Sequence, residues 1–75
     1  MFSKEKFGAR LLEARKRSNE TQTDLANCIE TTKSHVSEME NGKKTTTAEK
    51  IALICEHYNI SSDYLLGLTD DPEPK

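Results

Sequence analysis

Apolar residues between positions 22 and 42 follow two helical stripes that are separated by a short break. The stripes are formed by Leu25, Ala26 and Ile29 and by Val36 and Met39. Spacings of i, i+1 and i+4 in the first and of i and i+3 in the second place each set on one face of a helix. The break contains threonines, which are poor residues in a helix interior and good N-caps. The pattern therefore predicts two short helices joined by a tight turn, with Thr32 as the N-cap of the second.

Capping signals and apolar spacing predict three further helices around this pair, and no strands. Helix one is expected from Ser3 or Lys4 to Ser18, helix three from Thr32 to Glu40, and helix five from Ser61 or Ser62 to Gly67. Helices two and four are expected to begin at capping boxes, which are Thr21–Asp24 and Thr46–Glu49. In helix one, Phe7, Leu11 and Ala14 are expected to face inward and Arg10 to lie on the solvated side. In helix four, the inward face is expected to hold Ile51, Ile54, Cys55 and Tyr58.

The length and the ends of the chain limit its organisation. Seventy-five residues make one domain, which at this size buries roughly 60 to 65% of the unfolded chain's surface. Residues 1–68 are expected to form it, and 69–75, rich in acids and prolines, to be a disordered tail. No apolar run is long enough to span a membrane, and the opening residues MFSKEKFG lack the apolar block of a secretory signal. We therefore expect a cytoplasmic protein with no membrane partner.

Four short motifs give the chain a family resemblance. They are Thr21-Gln22, Leu25-Ala26, Glu40-Asn41-Gly42 and Ser61 to Gly67 (SSDYLLG). In this order and spacing they resemble the phage-repressor-like helix-turn-helix family, the Cro/CI or Xre-type DNA-binding domains, from about Phe7 to Leu66. The resemblance implies an all-α fold, a compact five-helix lambda-repressor-like domain with a central helix-turn-helix.

The same resemblance implies which residues meet double-stranded DNA. With Val36 and Met39 turned inward, the opposite face of helix three is short, polar or charged. The family places this helix in the major groove, which implies base contacts for Lys33, Ser34, Ser37 and Glu38. The backbone phosphates would be held by Gln22, Thr32, Asn41, Lys43 and Lys44. The family also joins Arg15 to Glu40, which implies an ion pair between helices one and three.

The charge balance is unusual for a DNA-binding protein. The chain has 11 basic and 13 acidic residues, a net charge of −2. Residues 1–50 carry ten Lys or Arg and eight Asp or Glu, whereas 51–75 carry one Lys and five acids, so most of the acidic excess lies at the C-terminal end. DNA affinity depends on the charges that reach phosphates, so the balance predicts modest nonspecific binding.

Three positions depart from the family pattern. Glu30 stands where the turn usually has glycine, and a non-glycine residue in a left-handed conformation costs on the order of 1 kcal/mol. Glu38 is an acid at a position that is often basic or amide-bearing, which bears on base recognition more than on the fold. Thr46 replaces the proline that is common before helix four, a change that the capping box is expected to offset.

Catalytic, metal and cofactor sites are not expected from the sequence. Cys28 and Cys55 form no CxxC motif and have only His35 and His57 as other soft ligands, which disfavours a zinc site. Cys55 is expected to be a buried small hydrophobe, and both histidines to be surface residues. There is no nucleophile elbow and no glycine-rich phosphate loop, so we expect neither an enzyme nor a small-molecule ligand.

The sequence therefore favours a DNA-binding transcriptional regulator, most simply a repressor that occupies a two-fold operator. A domain of this size buries little of the groove, which favours a homodimer, and Leu66 and Leu68 are apolar residues available to form its interface. The alternative is a protein-interaction module of the antitoxin or antirepressor type that has kept the fold and lost strong DNA binding. The acidic balance and Glu38 favour this alternative.

Overall fold

The structure is a computed structural model that describes residues 2–74. Within those residues the chain folds into five helices and no strand. They are α1 (Lys4–Arg17), α2 (Gln22–Cys28), α3 (Lys33–Glu40), α4 (Ala48–Tyr58) and α5 (Ser62–Leu65). The predicted all-α, five-helix architecture is confirmed. No helix in this part of the chain is long and apolar enough to cross a membrane.

Side-chain caps set most helix starts where the sequence predicts them. Ser3 Oγ accepts a hydrogen bond from the backbone N–H of Lys6 at 3.1 Å, and Thr32 Oγ1 accepts one from His35 at 3.1 Å. Thr21 and Asp24 form the predicted capping box, with both reciprocal hydrogen bonds present. The side chain of Ser61 likewise caps α5. Each cap satisfies backbone donors that the first helical turn leaves unpaired.

The predicted start of α4 is wrong by one residue. Thr47, not Thr46, is the N-cap, and its Oγ1 accepts a hydrogen bond from Lys50 N at 3.3 Å. Glu49 therefore occupies the second helical position, from which it does not close a capping box. The hydroxyl of Thr46 is buried and has no hydrogen-bond partner among the described residues. Three consecutive threonines, residues 45 to 47, offer the same cap, so the sequence alone does not distinguish among them.

The apolar stripes meet in one small core. Its buried members are Phe7, Leu11, Leu25, Ala26, Ile29, Val36, Met39, Ile54 and Leu65. Of the residues expected on the inward face of α4, Ile54 is fully buried, while Ile51, Cys55 and Tyr58 are half-buried against the core. Burial raises the pKa of the Cys55 thiol, as expected for a cysteine that serves as a small apolar residue.

Backbone contact between α1 and α3 is unusually close at Gly8. A Cβ atom there would collide with the carbonyl oxygen of Met39 and would lie 3.0 Å from that of Glu40. Only a residue without a side chain allows the two helices to approach in this way. The close approach places the C-terminal end of α3 directly against α1.

The turn between α2 and α3 keeps its expected shape without glycine. Glu30 has φ of 56°, in the left-handed region that favours glycine. The ammonium group of Lys50, on α4, donates to the carbonyl oxygens of Ile29 at 3.0 Å and of Glu30 at 3.1 Å. Lys50 thus satisfies carbonyls at the end of α2 and holds the strained turn from outside the helix-turn-helix.

Arg10 lies at the junction of α1, α5 and the C-terminal residues, so its predicted position on the solvated side is wrong. Its guanidinium donates to the carbonyl oxygens of Tyr64 and Thr69, pairs with Asp70 at 2.7 Å, and lies 4.1 Å from the centre of the Tyr64 ring. Its partners lie more than fifty residues away in sequence, so helical periodicity does not reveal them.

The C-terminal residues also contact the start of α5, where the backbone N–H of Ser61 donates to the carbonyl oxygen of Pro72 at 2.9 Å. The division into a domain of residues 1–68 and a disordered tail of 69–75 stays a prediction, and Lys75 lies outside the described residues.

Candidate nucleic-acid interface

The exposed side of α3 forms one shallow polar surface. Val36 and Met39 are fully buried beneath it. The residues that line it are Gln22, Lys33, Ser34, Ser37 and Glu38. All four residues predicted to meet bases and one predicted to meet phosphate therefore share a single surface, which we call the α3 surface. Its members are short or charged groups suited to base edges and phosphate oxygens.

The orientation of α3 is fixed by an ion pair with α1. Arg15 Nε lies 2.6 Å from Glu40 Oε2, and Arg15 Nη2 lies 3.0 Å from Glu40 Oε1, a bidentate arrangement. The side chains are only 12% and 3% exposed. The hydrogen bonds to Glu40 raise the pKa of Arg15, while burial acts in the opposite direction. The interhelical pair implied by the family resemblance is confirmed.

Gln22 links the start of α2 to the same carboxylate. Its Nε2 donates to Glu40 Oε1 at 2.9 Å. An amide nitrogen carries two hydrogens, so one remains for an external acceptor such as a phosphate oxygen. The sequence interpretation assigned Gln22 only an external contact and missed this internal one. The carboxylate of Glu40 therefore connects α3, through hydrogen bonds, to both α1 and α2.

Two other predicted contact residues are partly engaged within the protein. The hydroxyl oxygen of Thr32 accepts the capping hydrogen bond, which leaves its O–H free to donate. Asn41 Nδ2 lies 3.4 Å from Ser37 Oγ, so a residue expected at phosphates and one expected at bases touch each other. The side chains of Thr32 and Asn41 are exposed, so each can replace its contact within the protein by a contact with a partner.

The loop after α3 brings its two lysines back toward the helix. The backbone N–H groups of Lys43 and Lys44 both point to the carbonyl oxygen of Glu38, at 2.9 and 3.4 Å. Lys44 Nζ lies 3.5 Å from Glu38 Oε2, and these side chains are 58% and 40% exposed. An exposed pair of this kind contributes about 0 to 1 kcal/mol, so it exchanges readily with other partners. It also offsets the negative charge that Glu38 brings to the α3 surface.

The two leucines expected at a dimer interface differ in exposure. Leu66 is half-buried and packs against the core, whereas 70% of Leu68 is exposed. Part of the apolar surface at Leu66 is therefore used within the domain. Leu68 is left as a large apolar side chain in solvent, beside the left-handed Gly67 with φ of 83°.

This five-helix arrangement, with an exposed polar α3 held by the Arg15–Glu40 pair, defines a helix-turn-helix protein of the phage-repressor type. The family model described as a helix-turn-helix domain matches residues 8–70, and the chain belongs to that family. The resemblance given by the sequence motifs is thereby confirmed.

A named relative agrees with this assignment. The uncharacterized HTH-type transcriptional regulator YobD of Bacillus subtilis strain 168 is 39% identical over 66 residues, which cover 88% of this chain and 59% of YobD. The chain thus spans somewhat more than half the length of that relative. This match agrees with the helix-turn-helix family assignment.

Solved structures share the fold. The clp gene regulator ClgR of Corynebacterium glutamicum superimposes with a TM-score of 0.76 at 28% identity, covering 84% of this chain and 67% of that one. The restriction-modification controller protein C.AhdI of Aeromonas hydrophila gives 0.74 at 27% identity, covering 83% and 94%. The P22 c2 repressor, solved with a synthetic operator, gives 0.76 at 23% identity, covering 80% and 91%.

Proposed function

We propose that the chain binds double-stranded DNA as a homodimer and represses transcription by occupying a two-fold operator. The observation that carries the proposal is the α3 surface, where every residue expected at bases is gathered on one side of a firmly held helix. The relationship to named transcriptional regulators supports it. We expect the protein to act in the cytoplasm as a binding protein rather than as an enzyme.

The chemistry of the α3 surface suggests a role for each base-contacting residue. Lys33 is suited to donate to O6 and N7 of guanine, and Glu38 to accept from N4 of cytosine. Ser34 and Ser37 carry hydroxyls that both donate and accept. Because Lys44 pairs with Glu38 in the protein alone, we expect DNA to separate them. Lys44 would then move to a phosphate and Glu38 to a base.

Phosphate contacts are expected around the edge of this surface. Gln22, Thr32 and Asn41 would donate from the ends of α2 and α3, and Lys43 and Lys44 from the loop that follows. Such contacts fix the register of the protein on DNA and carry no sequence information by themselves. They also set the dependence of binding on salt.

The homodimer is proposed because one domain of this size covers too little DNA for tight specific binding. Two copies related by a two-fold axis place their recognition helices about 34 Å apart on successive major grooves. Leu68 is the exposed apolar side chain that such an interface would cover, and Leu66 would extend it.

The proposal is tested on a site selected from random DNA, with binding measured at several salt concentrations. Replacing Lys43 and Lys44 together by alanine should weaken binding to all sequences alike. It should reduce the slope of log K against log salt by about 0.9 for each lost contact. The matched control replaces Lys16 and Arg17, two exposed basic residues on α1, and so removes the same charge. An unchanged slope in the Lys43/Lys44 variant would exclude this loop.

A protein-interaction module with weak DNA binding is the second candidate function. The net charge of −2 and the carboxylate of Glu38 on the α3 surface favour it. Gel-shift assays with genomic fragments at low and moderate salt separate the two candidates. A retarded complex that survives moderate salt supports the repressor, whereas no complex at low salt supports the interaction module.

A further inference from the structure

A cluster of metal-ligating side chains lies away from the α3 surface. Glu20 precedes α2, Cys28 ends α2, and His57 lies in the last turn of α4. One ligand atom from each of the three lies within 4.8 Å of those of the other two. Cys28 Sγ is 3.6 Å from His57 Nε2, and Glu20 Oε2 is 2.6 Å from the same nitrogen.

The geometry of the cluster differs from that of a catalytic relay. In a nucleophile–base–acid relay, the nucleophile and the carboxylate contact opposite nitrogens of the imidazole ring. Here the sulfur and the carboxylate oxygen both approach Nε2. Three donor atoms from three segments of the chain thus converge on one region of space, which is the arrangement of a coordination site.

Two of the three donor–donor distances can be compared with those that a tetrahedral ion requires. With Zn–S near 2.3 Å and Zn–N and Zn–O near 2.0 Å, tetrahedral angles give S···N of about 3.6 Å and N···O of about 3.3 Å. The sulfur–nitrogen distance of 3.6 Å already matches. The oxygen–nitrogen distance of 2.6 Å is that of a hydrogen bond and would need to open by roughly 0.7 Å, a small movement for a glutamate side chain.

The surroundings of Glu20 hold it in place for such a role. Tyr58 donates its hydroxyl hydrogen to Glu20 Oε1 at 2.7 Å, which leaves Oε2 for the cluster. Arg15 donates to the carbonyl oxygen of Glu20 at 2.8 Å, and the backbone N–H of Glu20 donates to Arg15 O at 3.2 Å. Outer contacts of this kind orient metal ligands and strengthen binding.

We propose that Cys28 Sγ, His57 Nε2 and Glu20 Oε2 bind a zinc ion, with solvent at the fourth position. A thiolate, an imidazole and a carboxylate form a donor set that suits Zn²⁺, and Cys28 and His57 are exposed, so the ion has a path of entry. On binding, the Cys28 thiol releases its proton to solvent. The hydrogen between His57 Nε2 and Glu20 Oε2 moves by way of solvent to Nδ1, or is released where Nδ1 already carries one, and coordination replaces that hydrogen bond. The ion would then tie both ends of α2 to α4 and so stiffen the support of the helix-turn-helix.

The test uses the full 75-residue chain, reduced and freed of metal by a chelator, and titrates it with Zn²⁺ by calorimetry. The wild type should bind one ion per chain. Loss of a hydrogen bond to a metal ligand lowers metal affinity by about 10- to 100-fold. Loss of a ligand itself, in Cys28→Ser or His57→Gln, should therefore lower the affinity for Zn²⁺ by about 100-fold or more. The matched controls are Cys55→Ser and His35→Gln, which keep the three ligands and should bind as the wild type does.

Cobalt(II) gives a second, spectroscopic readout. A thiolate ligand should produce a sulfur-to-cobalt charge-transfer absorption in the wild type and in Cys55→Ser, and none in Cys28→Ser. Zinc should also raise the melting temperature of the wild type and leave that of Cys28→Ser unchanged. No stoichiometric binding by the wild type, or equal binding by Cys28→Ser, would overturn the proposal. So would a wild-type cobalt complex without the charge-transfer band.

Discussion

At the scale of single residues, Glu40 is the side chain on which the orientation of α3 depends. It accepts two hydrogen bonds from Arg15 and one from Gln22, and its side chain is 3% exposed. A buried charge of this kind is stable only while its partners remain. One carboxylate thus joins α3 to both α1 and α2.

Removing either partner of the Arg15–Glu40 pair should destabilise the domain strongly. Arg15→Met or Glu40→Gln should each lower the free energy of unfolding by about 3 kcal/mol, because the remaining group is left buried without its partner. Chemical unfolding followed by circular dichroism measures the loss. The control is Arg17→Met, which breaks an exposed pair with Glu13 and should cost no more than about 1 kcal/mol. Equal small losses in all three variants would refute the structural role of the pair.

At the scale of secondary-structure elements, the packing of α1 on α3 depends on Gly8. Glycine is a poor helix residue by intrinsic propensity, about 1 kcal/mol less favourable than alanine. It is nevertheless placed in the second turn of a 14-residue helix, where a Cβ atom would meet the backbone of α3. Close packing therefore outweighs helix propensity at this position.

Gly8→Ala should destabilise the protein, although alanine favours the helix. The collision is with backbone atoms, which move less easily than a side chain, and overpacking of this kind costs about 1 to 3 kcal/mol or more. Urea unfolding measures the change. The control is Ala9→Gly at the neighbouring exposed position, which should lose about 1 kcal/mol from propensity alone. If Gly8→Ala instead gains a similar amount, the close approach of the two helices is wrong.

At the scale of the whole molecule, the question is how two copies would meet. Among residues 2–74 the exposed large apolar side chains are Phe2 and Leu68, which are 46% and 70% exposed. Phe2 packs against Phe7, with ring centroids 6.1 Å apart, so part of it is used within the domain. Leu68 is the better candidate for an intermolecular contact, and a small patch of this kind favours a dimer that forms mainly on DNA.

Leu68→Asp should abolish cooperative occupation of a palindromic site and leave the helical content unchanged, because the side chain is exposed in the domain. Sedimentation with and without DNA, together with circular dichroism, measures both effects. Leu68 is chosen over Leu66 because Leu66 also packs against the core. Phe2→Asp removes the other exposed apolar side chain and serves as the control. A variant at Leu68 that binds the full site as tightly as the wild type would exclude this interface.

The sequence alone determined the features that depend on neighbouring residues. Helix caps such as Thr21 and Thr32 form with backbone groups two or three residues away, and apolar stripes follow from the helical period. The identity of the buried core and of the polar face of α3 follows from the same period. The Arg15–Glu40 pair was predicted as well, although only through the family resemblance. The base and phosphate contacts stay predictions.

Only the tertiary structure decided which elements are neighbours. Periodicity gives the face on which a residue lies, and it does not say what packs against that face. The tertiary contacts of Arg10 and Lys50 were therefore missed, because their partners are distant in sequence. The sequence disfavoured a zinc site because it shows no CxxC motif, and the three ligands that we propose share no local motif either. Glu20 and His57 are 37 positions apart and Cys28 and His57 are 29 apart, so their convergence follows from the packing of α2 on α4 and not from any local motif.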